Sequence, residues 1–413
     1  MHYNEVRDLN IKKVITILSI AILALLSLSG CTTFDNFKQA FIDKPQEKDG
    51  VIQIGVFEPM SGADKEGATL EIEGIEIAHE IYPTLNDKKV ELVYADNNSD
   101  IDAAETAIET LISKKPAFIL GSYGNVYSLA ASHYINAAKI PSIAITNTNP
   151  LITKNYKYYC RLCYVDSNQG SLLARYVLED RKEKQAGVLV PRGNDAATAT
   201  ASSFVDLIRG ETKDDDAITL YEDFEPGATD YSKVLNKVKK SGVKQVLLVG
   251  DLQDASNIIN QAAKMKLDVQ FLGNAEWGSQ EFRDSLNKSV QSNNLAFVQF
   301  FASDGEDSTK AVSKEKDMFL SAYKQKHGQD AEPDDAVALG YDAYCLALDA
   351  LSKAPENATS EDIMNMLTGP DYQFEGVSGV FNFNSIGDPI ETAYVSTWVQ
   401  GQLSTLYTIE SVE

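Results

Sequence analysis

From residue 51 onward, short apolar runs alternate with amphipathic stretches, and the whole alternation occurs twice. Residues 52–57 read as a strand. Residues 67–82 read as a helix with Ile72, Ile75, Ala78 and Ile81 on one face. Strands at 90–95, 117–120 and 143–145 follow, separated by helices at 103–114 and 126–138. After Asp166 the series restarts, with strands at 187–190, 219–224, 245–249 and 271–272 and helices near 202–209, 231–240 and 255–265. Helices near 314–326, 336–353 and 360–367 and strand-like runs at 392–399 and 403–409 close the chain. Parallel strands need crossover connections, and repeated βα units supply them. Two such series predict an α/β chain with two similar lobes, each a parallel sheet flanked by helices. Ligands of open parallel sheets sit at the C-terminal strand ends. Two lobes side by side can therefore form a clamp that closes by a hinge around a small solute.

The first thirty residues stand apart from this pattern. Lys12 and Lys13 precede an apolar run over 14–28 that is too short and too weakly flanked for a transmembrane helix, and it has the form of a signal-peptide core. The run ends in Leu28-Ser29-Gly30-Cys31, which resembles the lipobox of bacterial lipoproteins. That resemblance implies cleavage before Cys31 and lipid attachment at its thiol, with several acyl chains holding firmly where one binds only marginally. The competing reading is an ordinary signal peptide with a chance cysteine. Residues 1–30 are thus expected to be a lipoprotein signal peptide and 31–50 a flexible tether, polar and ending in Lys44-Pro45-Gln46-Glu47-Lys48-Asp49-Gly50. The mature chain is expected outside the cytoplasm, at the cell membrane, in a periplasm or on a cell surface.

Charge removes some partners. The formal net charge is −23, and near −24 once residues 1–30 are gone. Such a chain is repelled by nucleic acid and by anionic lipid head groups. Of four cysteines, Cys345 lies in an apolar helical pattern and reads as a core thiol. Cys160 and Cys163 form a CxxC within 158–165, a segment that reads as a strand, where residues three apart face opposite sides. A redox or metal role stays open for the pair, but no second CxxC and no His cluster completes a zinc site among four histidines. The chain has no G-x-S-x-G elbow, no P-loop and no H-E-x-x-H. An enzyme, a metal or a cofactor is not expected, and a monomer is.

Several motifs occur in a telling order. They are Glu58-Pro59-Met60-Ser61-Gly62 after the first strand, Asp96-Asn97-Asn98-Ser99-Asp100 after the second, and Arg161 leading to Asp166 and Gln169. Then come Gly227-Ala228-Thr229-Asp230-Tyr231-Ser232, Gly273 before Trp277, Gly340-Tyr341-Asp342-Ala343, and Phe374-Glu375-Gly376-Val377-Ser378-Gly379 ahead of Gly387-Asp388-Pro389. Over about residues 51–409 this series resembles the solute-binding proteins of ABC importers for branched-chain amino acids, with the type I periplasmic-binding fold. The resemblance implies two lobes joined by a multi-strand hinge, residues 51–165 with 301–393 forming one and 166–300 with 394–413 the other. It also implies a small polar ligand, an amino acid being the first choice, and an ABC permease as partner.

The resemblance implies Asn125, Thr146 and Thr148 as ligand residues; the family's acidic position falls on Ala275, leaving Glu276, one place on, or Asp251 as candidates. Asn125 ends the turn Gly121-Ser122-Tyr123-Gly124-Asn125 and is placed to cap the following helix, leaving amides at Val126 and Tyr127 for a carboxylate. Thr146 would offer main-chain groups. The Thr148 hydroxyl can accept from an ammonium and donate to a carboxylate. Asp251 or Glu276 would be the ammonium's counter-charge. Their bland readings are a helix cap, a Thr/Asn-rich turn and solvated rim carboxylates. Trp277 is expected in the core rather than over the cleft. The second lobe departs from the family pattern, with Pro191-Arg192-Gly193-Asn194-Asp195-Ala196 and Asp251 where aromatics are common. That departure keeps open an interaction or sensory lipoprotein of the same fold, such as a regulator of cell-wall enzymes.

Overall fold

The structure, a computed structural model, describes residues 50–303, 310–390 and 392–409. The signal segment, Cys31 and the tether as far as residue 49 lie outside the described residues.

Strand β1 (Val51–Glu58) pairs in parallel with β3 (Lys88–Asp96) and β4 (Phe118–Gly121). The two-residue β2 (Thr84–Leu85) lies antiparallel on β3. With β5 (Ser142–Ala144) and β6 (Tyr159–Arg161) they make a six-stranded sheet, order β2-β3-β1-β4-β5-β6. Helices α1 (Lys65–Ile81), α2 (Ile101–Ser113) and α3 (Asn125–Ala138) fill the crossovers. Asp100 accepts the Ala103 amide and starts α2, and Ala104, Ile108 and Leu111 turn the apolar stripe of that helix to the core.

The second sheet holds β7 (Ala186–Pro191), β8 (Ile218–Phe224), β9 (Gln245–Leu248), β10 (Gln270–Gly273) and β11 (Leu295–Gln299), parallel throughout. All residues of β7 and β9 are buried, as strands covered on both faces must be. Helices α4 (Asp166–Arg175), α5 (Asp195–Thr212), α6 (Ser232–Ser241) and α7 (Leu252–Lys264) accompany it. The two strand-like runs that close the sequence complete this sheet as an antiparallel hairpin. Its strands β15 (Ala393–Val399) and β16 (Gln402–Ile409) dock on β11, turning at Gln400-Gly401, both with positive φ.

Between these, the chain returns to the first sheet. Helix α8 (Lys310–His327), helix α9 (Asp335–Lys353) and helix α10 (Ser360–Leu367) precede a small sheet of β12 (Phe374–Glu375), β13 (Val380–Phe383) and β14 (Pro389–Ile390). Helices α9 and α1 cross closely. A Cβ at Gly74 would stand 1.9 Å from the Val337 carbonyl oxygen, so only glycine permits that approach. The chain crosses between the sheets three times, after β6, after β11 and after β14.

The strand expected over 158–165 is shorter than that reading. It stops at Arg161, and 162–165 is a buried segment leading into α4. Cys160 and Cys163 are buried thiols outside any disulfide, turned to the carbonyls of Ser142 and Asn147 respectively. Trp277 is 1% exposed and stacks on Phe282 with centroids 4.9 Å apart, a core position as expected. Among the described residues no helix is long and apolar enough to cross a membrane.

Candidate functional site

The turns that follow the C-terminal ends of the strands hold the residues singled out in the sequence. After β1, the turn Pro59–Gly62 is tied to the loop after β3. The Met60 amide and Ser61 hydroxyl donate to Asp96, and the Asp64 amide donates to Ser99. Gly62 has φ +89°, and a Cβ there would meet Asn98 O at 2.5 Å. Two motifs of the sequence thus interlock as one support.

The next turn, Gly121–Asn125, is held from below. Ser122 O accepts from Asn147 Nδ2, its hydroxyl from Asn97 Nδ2, and its amide donates to Ser128 Oγ. The Tyr123 amide donates to Glu58 Oε2 at 2.7 Å. The Tyr123 ring lies against Gly67, where a Cβ would sit 2.2 Å from Cζ. Burial, then the charges of Glu276, Glu71, Asp64 and Asp334, raise the Tyr123 pKa, so its phenol stays protonated.

Asn125 does not cap α3 as its position in the sequence suggests. Gly124 occupies the N-cap, with no side-chain cap, and Asn125 is the first helical residue. Its side chain is drawn instead to the loop after β5, where Oδ1 accepts the Asn149 amide at 3.1 Å and Nδ2 approaches Thr148 Oγ1 at 3.4 Å. The first turn of α3 is left without a side-chain acceptor for its amides. Thr146 gives both its hydroxyl and its backbone amide to Glu71, so its main chain is not left over for a ligand as the sequence suggests. Thr148 also hydrogen-bonds Asp166 at the start of α4, whose pKa is raised by burial.

In the second lobe, Asp251 caps α7, accepting the Asp254 amide at 2.7 Å, and is otherwise exposed. Glu276 lies in the turn after β10. Water reaches it from the cleft, yet the protein around it removes enough hydration to raise its pKa, and Asp166 and Asp251 add to the rise. The Ala275 amide donates to Gln169 Oε1 at 3.1 Å, so a residue of α4 holds this turn. The structure thus brings Asn125 to Thr148, while Thr146 of the same loop turns to Glu71. Glu276 feels the charge of Asp251, and Tyr123 feels that of Glu276.

A family model described as periplasmic binding protein matches residues 51–402. The chain belongs to the periplasmic binding protein family. Members of this family are extracytoplasmic solute-binding proteins of the type I fold, and the two-sheet architecture above is that fold. A Leu/Ile/Val-binding protein homolog of Brucella abortus is 26% identical over 368 residues, covering 85% of this chain and 91% of its own. A leucine-binding protein from Thermotoga maritima superposes with a TM-score of 0.71 at 27% identity, over 87% of this chain and 99% of the other. A branched-chain amino acid transporter substrate-binding protein from Streptococcus pneumoniae, in complex with isoleucine, gives 0.70 at 26% identity, over 88% and 99%.

Sequence reasoning missed three features of this binding protein's cleft. Tyr123 was readable as the one aromatic in a glycine-flanked turn. Gln169 was visible as a motif residue, without its target. Glu58 and Glu71 had a signal too, since Glu71 interrupts the apolar face of α1 one turn before Ile75.

Proposed function

We propose that this protein captures an amino acid, with a branched aliphatic one as first choice, and presents it to an ABC permease. One observation carries the reading. The first turn of α3 has no side-chain cap, and Tyr123, two residues before it, lies near enough to Glu276 of the second sheet to feel its charge. A helix N-terminus attracts an anion and a carboxylate attracts an ammonium, so the pair complements a zwitterion. Thr148 sits between Asn125 and Asp166, where its hydroxyl can serve either end of the ligand. In this reading residues 51–165 with 301–393 and residues 166–300 with 394–413 are the lobes that close. The protein acts as a monomer, held to the membrane by lipid on Cys31. A tether of about twenty residues would keep the clamp near its permease and raise its effective concentration.

The test is a melting screen of the mature chain against isoleucine, leucine, valine, other amino acids, amides and urea. A ligand at a hundred times its Kd adds about 2.7 kcal/mol of stability. A second reading, an envelope interaction protein, draws on the second lobe. There Arg192 turns outward to Asp223 and Glu225 at 2.8 Å each, and no aromatic follows β7. No melting shift with any solute, together with capture of a cell-wall enzyme, would sink the transport reading.

A further inference from the structure

Under the two ligand loops of the first lobe lie two carboxyl groups that solvent does not reach. Glu58 ends β1 and Glu71 is in the second turn of α1, and both are 0% exposed. Glu58 Oε2 accepts the Tyr123 amide, and Glu71 Oε1 accepts the Thr146 hydroxyl. The remaining oxygens, Glu58 Oε1 and Glu71 Oε2, have no donor. The two side chains are within hydrogen-bonding reach of each other, and burial together with each other's charge, rather than a cation, dominates their surroundings. The pair is walled in, for a Cβ at Gly121 would meet Glu58 Oε1 at 2.1 Å and one at Gly340 would meet the Glu71 backbone.

Two ionised carboxylates cannot share such a site cheaply. One proton removes the conflict, because the acid that carries it donates to the bare oxygen of the other. We propose that Glu58 and Glu71 share one proton, and that the bridged pair fastens the Tyr123 turn to the Thr146 loop as one unit. Both are positioning residues, and their effect on solute binding rests on the cleft reading above.

Burial, then the charge of Glu71, pushes the Glu58 pKa well up, and burial lifts Glu71 to about 7. The other titratable groups facing the pair are the phenols of Tyr123, from the turn after β4, and Tyr159, from β6. Burial raises both, so neither ionises in the working range. Helix α9 presents only backbone at Gly340. Raising the pH strips the shared proton, the carboxylates repel, and the two loops part.

The experiment compares the mature wild type with E58Q and E71Q, a glutamine in either place supplying a permanent donor. The infrared difference between wild type and E58Q at neutral pH should contain the C=O stretch of a protonated buried carboxyl, and E71Q should lose it too. Isoleucine affinity, read by calorimetry, should fall with rising pH in the wild type by up to about ten-fold per pH unit, the slope of one linked proton. In E58Q that slope should be abolished, whatever the affinity at neutral pH, and E71Q repeats the measurement should E58Q fail to fold. No carboxyl band in the difference spectrum, or a glutamine variant as pH-sensitive as wild type, overturns the proposal. Isoleucine silent on every protein while the band persists supports the shared proton and counts against the solute reading alone.

Discussion

Gly340 of α9 lies against the backbone of Glu71 of α1, so close that a Cβ on the glycine would stand 2.2 Å from the Glu71 carbonyl oxygen. The helix crossing therefore sets the height of Glu71 under the Thr146 loop. Gly340→Ala should cost about 1–3 kcal/mol, as overpacking does, and lower the melting temperature by several degrees. Gly74→Ala strains the same crossing at Val337. The double variant should lose less than the sum of the singles, since one separation of the helices relieves both clashes. Denaturant melts of the four proteins would decide this.

Arg161 is wholly buried and uses its whole fork. Nε meets Asp388 Oδ1 at 2.7 Å, and the two terminal nitrogens donate to Asn147 O and Thr153 Oγ1 at 2.8 and 2.7 Å. Removing one partner leaves a buried charge alone, at a cost of about 3–5 kcal/mol. Arg161→Met should show that loss in urea denaturation. Arg161→Lys should recover little of it, because a point charge cannot reproduce three directed bonds.

At the cleft, Thr148→Ala should weaken isoleucine binding by about 1–3 kcal/mol if the hydroxyl is buried against the ligand. Glu276→Gln should weaken it at least as much, since the ammonium loses its counter-charge. Asp251→Asn should change it less, because that carboxylate is already engaged with the Asp254 amide. Calorimetric titration would rank the three, and an unchanged Kd for Thr148→Ala would remove that residue from the site.

Stability should depend on pH in a stated direction. Burial raises Glu71 to about 7 and Asp342 to about 7, above their ordinary values. Each folded-state group then holds its proton more tightly than the unfolded chain does. Their contribution is complete below the ordinary carboxyl range and is lost as pH rises through about 7. The melting temperature should fall between about pH 5 and pH 8, and less steeply in E71Q than in wild type. A profile equally steep in both would contradict the assignment to Glu71.

Much of the fold can be read along the chain because it rests on local periodicity. Ile72, Ile75, Ala78 and Ile81 mark α1 by spacing alone, and the order of βα units yields two sheets. Asn125 could not be read the same way. Its cap-like position is a local signal, but bonds to Thr148 and Asn149, more than twenty residues away, decide where its side chain goes. The strand through Cys160 ends at Arg161, whose amide donates to Gly387 O and whose side chain pairs with Asp388, partners beyond any sequence window. The Glu58–Glu71 pair joins a strand end to a helix interior and is visible only when both are packed.

Gln169 stands on the helix that carries the chain out of the first sheet, and its side-chain carbonyl holds the amide next to Glu276. The Glu276 turn is thus hung from a helix rooted in the first sheet as well as from its own sheet, and a shift of that helix carries the turn with it. On the proposed reading, a solute that draws Glu276 toward its ammonium would pull on the joint itself, and occupancy would be written into the angle of the molecule, the quantity a membrane partner could read from outside.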